Sequence, residues 1–223
     1  MDFKSLLRFL TQLSKNNTKE WFDTHRAEYE TLRKQWIGFA HDMILKTASF
    51  DAHIAPLEPR QCIFRINRDI RFSKNKQPYK TNFGLSLSKT ARRDDFCGYY
   101  LHVEPGKSFA AVGSYMPQPP VLAAIRQEID YNAASFEKIV KSRAFQNTFG
   151  KLDGEQLTRP PQGYDSDNAA IEWLKHKSFV GTAPLSDADL CDKNFDKKLL
   201  NIFETGKPLN DFLFVAYQQH LIF

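Results

Sequence analysis

Cysteine is scarce. The 223 residues hold three, Cys62, Cys97 and Cys191, with no C-x-x-C and no Cys/His pair at metal-ligand spacing. That argues against a disulfide-stapled secreted scaffold, a zinc ribbon or a redox pair, and fits reduced thiols in a cytoplasmic protein. Long apolar runs are missing as well: the longest, Phe212–Tyr217, is far short of the roughly 20 residues that span a bilayer, so no membrane partner is expected. The first ten residues carry charge inside their apolar stretch and lack a small-residue cleavage site, unlike a signal peptide. No phosphate-binding glycine loop, no G-x-S-x-G and no H-E-x-x-H occurs. P-loop hydrolysis, serine-hydrolase chemistry and zincin chemistry are therefore unsupported. Internal repeats and low-complexity linkers are also absent, so a single α+β domain over 1–223 is the economical expectation, with a subdivision near 116–120 as the alternative.

What is present is core material and one concentration of charge. Hydrophobic residues make up 42% of the chain and include nineteen Phe, each contributing roughly 2–3 kcal/mol when buried. The net charge is +5, from 31 basic and 26 acidic residues. Sixteen residues, Arg65 to Lys80, hold six of those cations and one acid, Asp69, which is also +5. The remainder is formally neutral. Basicity is a local feature of this chain, and such self-repelling charge is expected to meet an anion.

Apolar spacing predicts the frame. Phe3, Leu6, Leu7, Leu10 and Leu13 mark a helix over 3–14. Asn17, three residues before Glu20, resembles a capping-box start for a second helix reaching about residue 47. Residues 51–60 read as a loop. Between 61 and 115 the period changes to two. Phe64, Ile66, Ile70 and Phe72 alternate with Arg65, Asn67, Asp69 and Arg71, as in a strand buried on one face, with Arg68 falling on the apolar side. Phe83–Leu87, Gly98–Val103 and Phe109–Tyr115 read as further strands of a mainly antiparallel sheet, separated by Ser88–Asp95 and by the turn at 104–107. Pro117–Pro120 ends the sheet and suits the first turn of a helix. Two short helices are expected at 121–140 and a small hairpin near Leu152–Gln156. Short helical stretches follow at 168–175, 186–192 and 196–218, the last interrupted at Gly206–Pro208. The fold class is α+β: two N-terminal helices, a central sheet, and C-terminal helices.

On a 64–72 strand, Arg65, Asn67, Asp69 and Arg71 would share one side, about 6.6–6.8 Å apart. Arginine offers a planar fork to phosphate or carboxylate, Asn adds neutral donors, and Asp69 can hold an Arg in place. Lys74 and Lys76 sit in the following turn. Tyr79, Lys80 and Asn82 lead to the next strand, with Tyr79 a candidate to stack a base or sugar. The competing reading is a partly buried ion network edged by solvated lysines.

The segment Phe64-Arg-Ile-Asn-Arg-Asp-Ile-Arg-Phe-Ser-Lys-Asn-Lys-Gln-Pro-Tyr-Lys-Thr-Asn-Phe-Gly84 closely resembles the signature of a microbial and fungal family catalogued as domain of unknown function 2461. Phe9-Leu-x-x-Leu-x-x-Asn-Asn17, Glu20-Trp-Phe-Asp23, Tyr99-Tyr-Leu-His-Val-Glu-Pro-Gly106 and Trp173-Leu-Lys-His-Lys-Ser-Phe179 extend the resemblance over nearly the whole chain. It implies one α+β domain and supplies no reaction, substrate or catalytic residue. Two positions depart from the family pattern: Asn75, where an acid is usual, and Ala110-Ala-Val-Gly113, where glycine is more frequent. The first takes a carboxylate away from the turn. The second weakens a reading of that strand as a close backbone approach to a ligand.

Other chemistry is thinner. His102 and Glu104 alternate on one strand and, with Asp69, would supply acid/base groups or a small metal site if all three converged. A hydrogen-bonded sheet histidine beside a turn glutamate is the plainer reading. His25 and Arg26 would join the rim of the basic site if functional. Three functions stay open at this level. The first is a domain binding an anionic, phosphate-bearing ligand (a nucleotide or nucleic-acid segment) through Arg65, Arg68, Arg71, Lys74, Lys76 and Lys80, oriented by Asn67, Tyr79 and Asn82. The second is an enzyme on an anionic substrate using Asp69, His102 and Glu104. The third is a module for an acidic protein partner. No cofactor is assigned.

Overall fold

The computed structural model describes residues 1–89 and 97–221, with side chains to residue 218. Its elements are α1 (Phe3–Lys15), α2 (Lys19–Thr24), α3 (Arg26–Ala48), a 3-10 turn at Ala52–Ile54, β1 (Phe83–Ser88), β2 (Cys97–Val103), β3 (Ser108–Ser114), α4 (Pro119–Tyr131), α5 (Ala133–Val140), α6 (Arg143–Phe149), β4 (Leu152–Asp153), α7 (Ile171–Leu174), β5 (Phe179–Leu185), α8 (Asp187–Cys191) and α9 (Phe195–Leu221). The strands form one antiparallel sheet in the order β1-β2-β3-β5-β4. This is an α+β fold. None of the described helices is long and apolar enough to cross a membrane.

Local chemistry explains the helix starts. Asp2 caps α1 by accepting the Ser5 N–H at 3.0 Å. Thr18, not Asn17, caps α2 through the Trp21 N–H, because Asn17 is committed elsewhere. The long second helix expected from 17 to 47 is split at His25 into α2 and α3. Pro119 and Pro120 open α4, where a missing N–H costs nothing.

The three strands expected between 83 and 115 lie within a residue or two of β1, β2 and β3. Most of the Ser88–Asp95 connection, from residue 90 onward, falls outside the described residues. The hairpin expected near Leu152–Gln156 is replaced by a longer-range pairing: Leu152 lies opposite Gly181 and Asp153 opposite Val180. β5 itself escapes a period-two reading because Gly181 and Pro184 interrupt its apolar pattern.

Helix α9 also runs through the expected break at Gly206–Pro208. A Cβ on Gly206 would meet the Val112 side chain at 2.4–2.6 Å. Glycine here admits the β3 valine against the helix backbone, and packing outweighs the propensity cost of about 1 kcal/mol for Gly.

The chain divides into two compact units. One comprises Met1–Leu87, Tyr100–Ala110 and Pro184–Leu200. Its core joins Phe3, Phe39 and Phe195, whose ring centroids lie 4.9–6.4 Å apart. Trp36 is also buried here, its indole N–H on the Gly84 carbonyl at 3.3 Å. The other comprises the described residues of Ser88–Tyr99, Ala111–Ala183 and Asn201–Phe223. Its core holds Phe136 against Trp173, Phe179 and Phe212, with a buried Ser114–Tyr217 hydroxyl pair at 2.6 Å.

Candidate functional site

The basic segment belongs wholly to the first unit, and it is not a strand. Residues 63–72 make only isolated bridges, Ile63 with Leu85 and Asn67 with Tyr79. Backbone bonds from Phe64 N–H to the Gly84 carbonyl, Lys80 N–H to Ile66 and Arg68 N–H to Pro78 complete an irregular, open hairpin. Burial falls on Ile63 and Ile66, three residues apart, while Phe64 is 52% and Phe72 95% exposed. The expected common face of Arg65, Asn67, Asp69 and Arg71 therefore does not form. An alternating pattern fixes register only where a second layer covers one side, and here the phenylalanines of that pattern stay outside.

The hairpin is fixed at its base by Asn17. Its side-chain amide donates to the Tyr79 carbonyl and accepts the Tyr79 N–H, both at 3.0 Å and both buried. The asparagine thus supplies the backbone-like pair that a neighbouring strand would give. Tyr79 lies flat on Phe22, centroids 4.0 Å apart, and is only 6% exposed. Its expected role as a stacking surface for ligand is corrected: both its backbone and its ring serve to anchor the hairpin.

Around this anchor the six cations take different positions. Arg71 is clamped by Asp69 through a two-pronged pair, Nε to Oδ1 at 3.0 Å and Nη2 to Oδ2 at 2.7 Å. That contact holds the Asp69 carboxyl below its ordinary range. Arg68 braces the turn from within, donating to the Gln77 carbonyl and the Ser73 hydroxyl, and Lys76 donates to the Ile70 carbonyl. Arg65 and Lys74 are exposed, and among the described residues their side chains have no hydrogen-bond or ion-pair partner. Lys80 is half-buried with its ammonium 5.3 Å from the Phe64 ring centroid. Burial, and secondarily the charge of Arg65, push its pKa down. Of the six, only Arg71 meets a carboxylate among the described residues.

Beside the hairpin, β2 and the residue that follows it turn Tyr100, His102 and Glu104 to one face while Tyr99, Leu101 and Val103 are buried. His102 Nε2 lies 3.3 Å from Glu104 Oε2, and Nδ1 lies 3.1 Å from the Tyr100 hydroxyl and 3.5 Å from the Asn82 amide nitrogen. A carboxylate at Nε2 calls for a proton there, and in the neutral imidazole that leaves Nδ1 to accept from Tyr100. Thr81 donates to the other oxygen of Glu104 at 2.9 Å. The imidazole stacks on Phe109 at 4.8 Å. Burial, with the Glu104 charge adding, pushes the Tyr100 hydroxyl up to about 12. Gly84 matters at this point: a Cβ there would meet Phe64 at 2.8 Å and the Tyr100 hydroxyl at 2.9 Å. The missing side chain is what lets both rings lie over β1.

Asp69 does not join this network, since its carboxylate is taken by Arg71. Among the described residues no three His, Cys, Asp or Glu side chains group in a way that could hold a metal ion. The metal version of the Asp69–His102–Glu104 site is therefore corrected. His25 and Arg26 are also occupied. The His25 ring stacks on Trp21 at 3.9 Å, and Arg26 pairs with Asp23 at 2.6 Å. Sequence reasoning missed Tyr100 and Thr81. Tyr100 was within reach, two residues before His102 on the same strand face.

The chain matches the family model described as Conserved hypothetical protein (DUF2461) over residues 5–212. It belongs to that family. No curated protein and no solved structure matches it.

Proposed function

We propose that the basic hairpin binds an anionic, phosphate-bearing ligand, with a nucleotide or nucleic-acid segment as the leading class. The observation that carries this reading is the shortage of internal counter-charge: Arg65, Arg68, Lys74, Lys76 and Lys80 form no ion pair with a carboxylate among the described residues, and the nearby Asp69 is clamped by Arg71. A structural ion network brings its own counter-charges, whereas a ligand site leaves its cations for the guest. Arg65 and Lys74 supply free charge. Lys80 supplies a charge made costly by burial, which an arriving anion relieves. Arg68 and Lys76 hold the turn while keeping their positive charge near it, and Asn67 and Asn82 add neutral donors. The clamp on Arg71 leaves that residue a smaller share than its sequence position suggests.

The direct test is the melting temperature in rising tripolyphosphate, against sodium chloride at matched ionic strength. A saturable rise specific to the polyphosphate is expected. Equal curves in the two salts count against the site.

Lys80 gives the site a pH signature. Its folded-state pKa lies below the ordinary lysine value of 10.5, so the folded protein holds this proton less tightly than the unfolded chain. Without ligand, Lys80 therefore contributes rising stability as pH climbs from the lowered pKa to 10.5. Anion affinity moves the opposite way, full at neutral pH and declining before an ordinary lysine would lose its charge. Isothermal titration across that alkaline range should show proton uptake on binding, and Lys80→Met should remove it.

A further inference from the structure

An anion site alone leaves the aromatic rings around the hairpin unexplained. Phe72 stands 95% exposed beside the Arg71 guanidinium, which lies 5.8 Å from its ring centroid. Phe64, Tyr100, His102 and Phe109 form a continuous run over β1–β3, with neighbouring ring centroids 4.8–6.1 Å apart. None of these four rings is fully buried. Lys80 sits over one end of the run and the unpaired Arg65 beside it. Polar groups stand among the rings: the Asn82 amide, the Tyr100 hydroxyl and Glu104.

We infer that this face takes single-stranded nucleic acid, its bases against the aromatic run and Phe72, its phosphates on the hairpin cations. The inference rests on the anion reading above and names the ligand class for the same site. Unpaired bases have faces to stack on aromatic rings and edges that Asn, His and Glu side chains can hydrogen-bond. A duplex presents mainly its phosphate backbone and makes no use of the rings. A mononucleotide needs neither a run of four rings nor cations spread from Arg65 to Lys80. An anionic membrane would account for Phe72 at the tip among lysines, but not for polar base-edge partners set within a sheet face.

Fluorescence anisotropy with a labelled mixed-sequence strand of about twelve nucleotides, within the usual site sizes, tests it. The same strand annealed to its complement, tripolyphosphate and phosphatidylserine vesicles form the other arms. The single strand is expected to bind at least roughly tenfold tighter than the duplex. Phe72→Ala should weaken it about 5- to 150-fold, the range that loss of one stacked base gives, with an unchanged melting temperature because the ring touches little of the fold. Phe64→Ala should weaken it in the same direction. Lys74→Gln should reduce the slope of log affinity against log salt by about 0.7. Equal binding of strand and duplex, with no loss in Phe72→Ala, overturns the single-strand inference. A tripolyphosphate-induced rise in melting temperature in that case leaves the anion site standing. Binding confined to vesicles also overturns it. No response to tripolyphosphate or to either nucleic acid removes both readings.

Discussion

Asn17→Ala is expected to lower the unfolding free energy by about 2–6 kcal/mol. The substitution strips partners from the Tyr79 N–H and the Tyr79 carbonyl, both bonded to the Asn17 side chain at 3.0 Å within the protein. A buried polar group left unpaired costs about 1–3 kcal/mol, and here there are two. Against a typical total of about 5–15 kcal/mol, that is a large share. The loss should be local first. Tyr79 ties the hairpin to the α1–α2 junction by its backbone and by its ring on Phe22, so residues 64–80 should lose protection before the rest of the first unit. Hydrogen exchange at the Tyr79 amide together with urea unfolding reads both effects. Asn17→Asp separates their causes: it keeps the acceptor for the N–H but turns a carboxylate oxygen toward the carbonyl. It should therefore also destabilise, whereas a pure space-filling role predicts near-neutral behaviour. A change below about 0.5 kcal/mol in Asn17→Ala, the scatter of ordinary surface substitutions, would show that the anchor lies elsewhere.

Much of the frame was legible because it follows from burial at fixed period. α1 shows its apolar stripe plainly, and β1 and β2 alternate over their later residues as strands covered on one side should, whereas β3 is buried on both faces from Ala110 to Ser114. The segment 64–72 alternates too, yet only Ile66 of its four apolar positions is fully buried. Period is a consequence of burial, and a sequence carries the period whether or not a second layer exists to cover it. Asn17 was visible as a helix-start residue, but its partner lies 62 residues away, beyond what spacing reveals. The same holds for β5 with β4, and for Gly206, whose need arises from Val112 of another element. In the site, the charge count was fully legible. The pairing of Arg71 with Asp69 was foreseen in kind. Tyr79 was misjudged because an aromatic beside lysines reads the same in sequence whether its ring faces solvent or Phe22.

Neutralising Arg65 and Lys74 separates a ligand site from a structural network most sharply. Both side chains are exposed and meet no carboxylate among the described residues. Arg71 is the wrong choice for this purpose, because removing it also releases Asp69. At an anion concentration 100 times the dissociation constant, the parent protein is expected to gain about 2.7 kcal/mol of stability. If the double variant binds about a hundredfold more weakly, the same concentration yields only about 0.4 kcal/mol. Without ligand, relief of like-charge repulsion should leave its stability equal or a few tenths of a kcal/mol higher, as for exposed charge pairs generally. The decisive measurement is therefore urea unfolding of the parent and of Arg65→Gln/Lys74→Gln, each with and without tripolyphosphate. The account predicts unchanged or slightly raised stability without anion and loss of most of the anion-dependent gain. A parent protein with no anion-dependent gain, or a double variant that keeps the parent's full gain, would contradict it.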